Sequence, residues 1–188
     1  GDRNIISGNG TSNIEIRGTT TTIKNNYIGT NADGNAKVTG ATTLTGIKVY
    51  SDTGAQLWTS IRDNVISGNS NYGVEIVNCK DNTLLGNKIG VDKDGTVSIS
   101  NGSGIILNSG SQNNTIGGAG SGEYNIISGN TQCGIIVDGV GSDSNKIYKN
   151  YIGTNQTGAT NIGNSQQGIK ILNSAKGTKV GASGKGNT

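Results

Sequence analysis

The residues of this chain with chemistry to offer are carboxylates, lysines, tyrosines and amides. Histidine is absent, which removes Ser-His and Cys-His nucleophile systems, imidazole acid–base catalysis and His-ligated metals together. Two carboxylates stand out as a pair. Glu15 and Glu75 are each the middle residue of an aliphatic-x-aliphatic phrase, Ile14-Glu15-Ile16 and Val74-Glu75-Ile76. In a strand whose aliphatics face inward, both glutamates point outward. Two rungs of parallel sheet would separate them by about 9.6 Å at ~4.8 Å per rung. That is close to the spacing with which an inverting glycosidase admits a water between its two carboxyl groups. Lys48, however, holds the same place in an intervening phrase, and alternating sign favours a solvated cross-strand charge ladder over a catalytic pair. A second candidate is Asp92-Lys93-Asp94-Gly95, which opens like a calcium loop but lacks the later ligands. Its counterparts, Asn31-Ala32-Asp33-Gly34 and Asn155-Gln156-Thr157-Gly158, keep the glycine and lose acids. A glycine turn is therefore the expectation, with Asp92 and Asp94 as a weak Ca²⁺ alternative. Tyr27 and Tyr151 share a phase but lie four coils apart, so one sugar is not expected to stack on both.

The elements that must carry these residues follow from repetition. The phrase NIISGN at 4–9 returns as NVISGN at 64–69 and NIISGN at 125–130. Interleaved with it are NYIGTN at 26–31, NKIGVD at 87–92 and NYIGTN at 150–155. The leading asparagines, Asn4, Asn26, Asn64, Asn87, Asn125, Asn150 and a decayed Asn187, are separated by 22, 38, 23, 38, 25 and 37 residues. Short and long coils alternate, a fixed period that signals a stacked-repeat architecture. Asparagine tolerates a left-handed bend, and its amide both donates and accepts, so stacked copies form a ladder. A second column is expected five residues later, at Asn9, Asn31, Asn69, Asp92, Asn130 and Asn155. Between the two columns sits an inward aliphatic: Ile6, Ile28, Ile66, Ile89, Ile127 and Ile152. A third inward position precedes the corner at Ile23, Ile61, Leu84, Ile116, Ile147 and Val180. Three short strands per coil predict an all-β, single-stranded right-handed parallel β-helix of about six coils in three two-coil super-repeats. Residues 1–188 form one such domain. The long coils carry polar loops at 32–45, 93–103 and 156–167 that are expected to project from one edge, together with an extension before the corner at Gly117–Tyr124.

Composition agrees with a thin core. There are 33 glycines, no Pro, Phe or Met, and 30% hydrophobic residues, which would read as disorder in an aperiodic chain. A solenoid needs only one inward stripe per strand. The net charge of +3 has no basic run, which argues against a nucleic-acid partner. No stretch has the ~18–20 apolar residues of a membrane span. Cys79 and Cys133 fall at different phases of different coils, so free buried thiols are expected rather than a disulfide.

NVISGN, NYIGTN followed by a glycine turn, and NTIGG at 114–118 resemble the repeats of right-handed parallel β-helices in large bacterial surface and secreted proteins, within the broad pectin-lyase-like superfamily. The resemblance covers essentially the whole chain and speaks to architecture, since such solenoids host lyases, hydrolases, epimerases and inert stalks. It implies an extracellular or cell-surface location and a non-catalytic structural or adhesive segment. The alternative is part of a polysaccharide lyase or glycoside hydrolase whose catalytic coils lie outside this stretch or use Glu15 and Glu75, or a polysaccharide-binding module. The chain runs from Asn4 to the equivalent Asn187 without a polar cap, which reads as a piece of a longer array able to self-associate through open ends. Ile106 and Ile136, with Val77 and Leu172 one column over, are expected to form an outward aliphatic face that meets a partner.

Overall fold

The computed structural model describes residues 2–181. It contains three parallel six-stranded sheets and, among the described residues, no helix. The chain visits the three sheets in turn and returns to the first one rung higher, as a right-handed parallel β-helix. The first sheet holds two-residue strands, Ile5–Ile6, Tyr27–Ile28, Val65–Ile66, Lys88–Ile89, Ile126–Ile127 and Tyr151–Ile152. The second holds the longest, from Ser12–Ile16 through Thr45–Tyr50, Tyr72–Val77, Ser103–Asn108 and Ile135–Asp138 to Ile169–Leu172. The third runs from Thr22–Lys24 to Lys179–Val180. Each coil opens at one of the leading asparagines, so coils 1 to 6 begin at Asn4, Asn26, Asn64, Asn87, Asn125 and Asn150.

The register stacks like on like. Ile6, Ile28, Ile66, Ile89, Ile127 and Ile152 form one column. Ile23, Ile61, Leu84, Ile116, Ile147 and Val180 form another, as their shared place before the corner predicts. The paired aliphatics of the second sheet, from Ile14 and Ile16 up to Ile169 and Ile171, complete the core. In the middle coils these side chains are fully buried. Each contributes about 1.5–3 kcal/mol of hydrophobic stabilisation, which compensates for a core only one residue deep.

The predicted ladder forms at the corner between the third and first sheets. Each Nδ2 donates to the next coil's Oδ1: Asn4 to Asn26 at 2.9 Å, Asn26 to Asn64 at 3.3 Å, Asn64 to Asn87 at 3.1 Å, Asn87 to Asn125 at 3.0 Å and Asn125 to Asn150 at 2.8 Å. The same Oδ1 atoms also accept the neighbouring backbone N–H groups. From Asn64 upward the second amide proton reaches a carbonyl of the third-sheet strand that precedes the previous ladder asparagine, Ile61 for Asn87 and Leu84 for Asn125. Asn4, on the first rung, is exposed, whereas Asn26 to Asn150 are buried. Asn187 lies outside the described residues. The bend itself is made by the residue before the ladder, left-handed at Asn25, Asp63, Gly86 and Lys149.

The second column is corrected by the structure. Asn69 and Asn130 do stack, but with Asn101 and Asn164 of the long coils: Asn69 donates to Asn101 at 2.9 Å, Asn101 to Asn130 at 3.1 Å and Asn130 to Asn164 at 2.8 Å. Asn31, Asp92 and Asn155 are instead the first residues of inserted hairpin turns, so the matching residue arrives only after the insertion. In coil 2, Thr43 takes the ladder's place with its hydroxyl unpartnered and buried, and Asn13 reaches past Gly46 to Asn69 at 3.0 Å. A further ladder, Asn82 to Asn114 to Asn145 at 2.8 and 3.1 Å, borders the third sheet at its other end.

Candidate functional site

On the outer face of the second sheet the middle column reads Glu15, Lys48, Glu75, Ile106, Ile136 and Lys170. Glu15 and Glu75 are thus two rungs apart, with Lys48 between them. Glu15 is bound by Arg17 at 2.7 Å and Glu75 by Lys48 at 3.9 Å. Lys48–Glu75 is thus an ion pair across strands, while Glu15 pairs within its own strand. Burial, then the charges of Glu75 and Asp138, raises the Tyr72 hydroxyl above its usual range. The next column reads Arg17, Tyr50, Val77, Asn108, Asp138 and Leu172, and the Arg17 guanidinium stands 5.1 Å from the Tyr50 ring centre. Asn108 and Asp138 therefore stand between Val77 and Leu172 within that column. Ile106 is 5% exposed, and Val77, Ile136 and Leu172 are half-buried.

Asp92 and Asp94 are not brought together around a common point. The Asp92 carboxylate accepts the backbone N–H groups of Thr96 at 2.7 Å and Val97 at 3.0 Å, while Asp94 is paired with Lys93 at 2.6 Å. Asn31 and Asn155 play the Asp92 part in their own hairpins, each accepting backbone N–H groups of its turn through Oδ1. The three hairpins close through antiparallel pairs Thr30 with Lys37, Val91 with Ser98 and Thr154 with Asn161. They do not simply project. A Cβ placed on Gly34 would sit 2.6 Å from the Tyr27 ring and one on Gly95 2.6 Å from Ile126, so the glycine turns lie against the outer face of the first sheet. Lys93 N donates to Gly34 O at 2.9 Å, tying the hairpins of coils 2 and 4 together.

Opposite this hairpin wall runs a groove along the first sheet, whose outward column is Ile5, Tyr27, Val65, Lys88, Ile126 and Tyr151. One cavity there, about 370 Å³, lies between the glycine-rich extension at 118–122, Lys149, and the rings of Tyr124 and Tyr151. Those rings meet edge to face with centres 5.1 Å apart. The extension is held by Glu123, whose carboxylate accepts Gly120 N at 2.7 Å. The cavity shares Gly122 and Tyr124 with a second, which reaches Lys88, Gln156 and Asp63. That one shares Asp63 with a third beside Arg3 and Tyr27. Sequence reasoning set Tyr27 and Tyr151 aside as too far apart, which they are. It missed Tyr124, whose signal was the extra length of the 117–124 segment directly before the Asn125 corner.

Both cysteines are free and buried, as their phases predict. Cys79 donates to Val77 O at 3.0 Å, and desolvation pushes its pKa up to about 12. Among the described residues no group of three or more carboxylate or cysteine side chains converges as a metal site. Compared with protein-family models, curated proteins and solved structures, the chain returns no match.

Proposed function

We propose that this chain is a non-catalytic structural and adhesive solenoid segment of an extracellular or cell-surface protein, of the kind found in bacterial surface proteins with pectin-lyase-like repeats. The observation that carries the reading is where the polar side chains are spent. The buried amides stack along the axis, and the outward acid candidates are paired with a base on a neighbouring position: Glu15 with Arg17, Glu75 with Lys48, Asp94 with Lys93. A carboxylate engaged in an ion pair with a neighbouring guanidinium or ammonium spends its oxygens on that contact rather than on a substrate.

The competing reading is a carbohydrate-active enzyme working through Glu15 and Glu75, which line a shallow depression with Lys48. Incubation with a panel of acidic and neutral polysaccharides, followed by reducing-end and unsaturated-product assays, separates the two. The expected outcome is no product above the buffer control. Product that disappears in Glu15→Gln or Glu75→Gln would replace the structural reading with the enzymatic one.

A further inference from the structure

We propose that Asn9 is a self-modification site: in the folded chain its side chain closes on the nitrogen of Gly10, deamidates, and loosens the first coil. The inference is independent of the functional reading above.

An asparagine or aspartate followed by glycine can close to a succinimide because glycine has no Cβ to obstruct the approach. The chain holds five such pairs: Asn9-Gly10, Asp33-Gly34, Asp94-Gly95, Asn101-Gly102 and Asp138-Gly139. Ring closure needs a glycine nitrogen free of other bonds and a side-chain carbon that can swing onto it. Four of the five fail the first condition. Gly34 N donates to Asn31 O at 3.0 Å, Gly95 N to Asp92 O at 3.0 Å, Gly102 N to Asn69 O at 3.1 Å and Gly139 N to Leu172 O at 3.3 Å. Gly10 N has no acceptor among the described residues, and a Cβ placed on Gly10 would meet nothing within 4 Å.

The two asparagines divide in the same way. They belong to one chain of amides, in which Asn9 donates to Asn13 at 2.9 Å, Asn13 to Asn69 at 3.0 Å and Asn69 to Asn101 at 2.9 Å. Asn101 is 1% exposed and held on every side. Its Nδ2 donates to Ile66 O and Asn130 Oδ1, and its Oδ1 accepts from Asn69 N and Asn69 Nδ2. Asn9 is exposed, and its amide is held only by Asn13 and by a 3.5 Å bond to Ser7 O. The same dipeptide thus stands twice in one ladder, once open and once locked.

The reaction needs only water. Gly10 N gives its proton to solvent base and attacks Asn9 Cγ, forming a C–N bond. The tetrahedral carbon then expels Nδ2, which takes up a proton and leaves as ammonia. One water opens the imide at either carbonyl, giving aspartate or the β-linked isoaspartate. Either product loses the donor to Asn13 and sets a carboxylate against the Asn13 Oδ1 acceptor. The isoaspartate also adds a backbone atom between the strands Ile5–Ile6 and Ser12–Ile16.

The test is incubation of the folded chain in mildly alkaline buffer, followed by mass spectrometry of tryptic peptides 4–17 and 94–146, with fragment ions assigning the site. Asn9 exchanges NH2 for OH and becomes a substrate of isoaspartyl methyltransferase, while Asn101 stays intact. In urea the two convert at similar rates, because the buried one otherwise reacts only through opening of its coil. Gly10→Ala, accommodated by the open space and by a φ outside the left-handed region, slows conversion at position 9 roughly tenfold. Deamidated chain, separated by ion exchange, shows faster hydrogen exchange in Ser12–Ile16 than the parent. Asn9 converting no faster than Asn101 in the folded chain, or unslowed in Gly10→Ala, overturns the site. Unchanged exchange in Ser12–Ile16 overturns the loosening of the coil.

Discussion

A ladder asparagine works because its amide has two donors and an acceptor, and a rung of the solenoid offers a partner to each. Asn87 donates to Asn125 and to Ile61 O, and accepts from both Asn64 N and Asn64 Nδ2. Replacing it by alanine orphans groups on both neighbouring rungs inside a dry interior. Asn87→Ala should therefore lose about 1–3 kcal/mol in urea unfolding, whereas the exposed first-rung Asn4→Ala should stay within about 0.5 kcal/mol of the parent. Equal losses at the two positions would mean that burial does not set the strength of the ladder. Cys79 is a different single-residue case. Desolvation pushes its folded pKa up to about 12, above the ordinary thiol range. The folded state thus holds the thiol proton where the unfolded state releases it. The sign is fixed by that: stability is unaffected below about pH 9 and falls as pH rises from 9 toward 12. Cys79→Ser, whose hydroxyl can keep the bond to Val77 O, removes this part of the alkaline loss. Chemical unfolding of both proteins at pH 8 and at pH 10.5 checks it.

The inserted hairpin is the element on which the long coils differ from the short ones. Its turn is closed by an oxygen at the first position, carboxylate in Asp92 and amide in Asn31 and Asn155, accepting backbone N–H groups four and five residues on, or two and five in the last case. Asp92→Asn should then be near neutral, while Asp92→Ala loses about 1 kcal/mol or more for the hydrogen bonds removed. Millimolar calcium should leave the melting temperature of the parent unchanged. A calcium-dependent rise abolished by Asp92→Asn would instead revive the calcium-loop reading of Asp92 and Asp94. The same hairpins mark the boundary of what the amino-acid sequence discloses. Strand positions were legible because one aliphatic recurs at one phase in every coil, as in Ile23 to Val180, and a wrong phase would turn that side chain out of the core. The Asn69 ladder was not legible, because the hairpin displaces its partner to Asn101, beyond an Asp92 that mimics the expected spacing. The Asn82 ladder was hidden by Thr59 and Thr178 at its flanks, although Asn directly before Thr83-Leu84 and Thr115-Ile116 was a trace of it. For the candidate site, the outward column of Glu15, Lys48 and Glu75 followed from period-two alternation alone. The groove did not, since it depends on the 117–124 segment folding back to set Tyr124 against Tyr151, a contact no local period encodes.

At the scale of the molecule, sheet pairing, the aliphatic columns and the stacked asparagines join each coil to the coils beside it, and the Asn13–Asn69 bond is a contact that spans an intervening coil. Stability in such a stack is a sum of coil terms and interface terms, and a coil with two neighbours has one interface more than a coil at the end of the stack. The described coils differ accordingly. In coils 3 to 5 the inward aliphatics are buried, from Ile66, Val74 and Leu84 to Ile127, Ile135 and Ile147. In the last coil Ile171 is 43% and Val180 50% exposed, and Ile152 and Ile169 are only half-buried. Native-state hydrogen exchange should therefore be graded along the axis. Amides of the second-sheet strands Tyr72–Val77 and Ser103–Asn108 exchange only through the largest openings, and those of Ile169–Leu172 through local fraying. Asn125→Ala, placed at the interface between coils 4 and 5, weakens one junction of the stack. It should bring the protection of coils 5 and 6 down together while Tyr72–Val77 keeps most of its own. A variant whose protection falls by the same factor in every strand would show that the solenoid opens as a single cooperative unit, and that the nearest-neighbour description fails for a stack of this length.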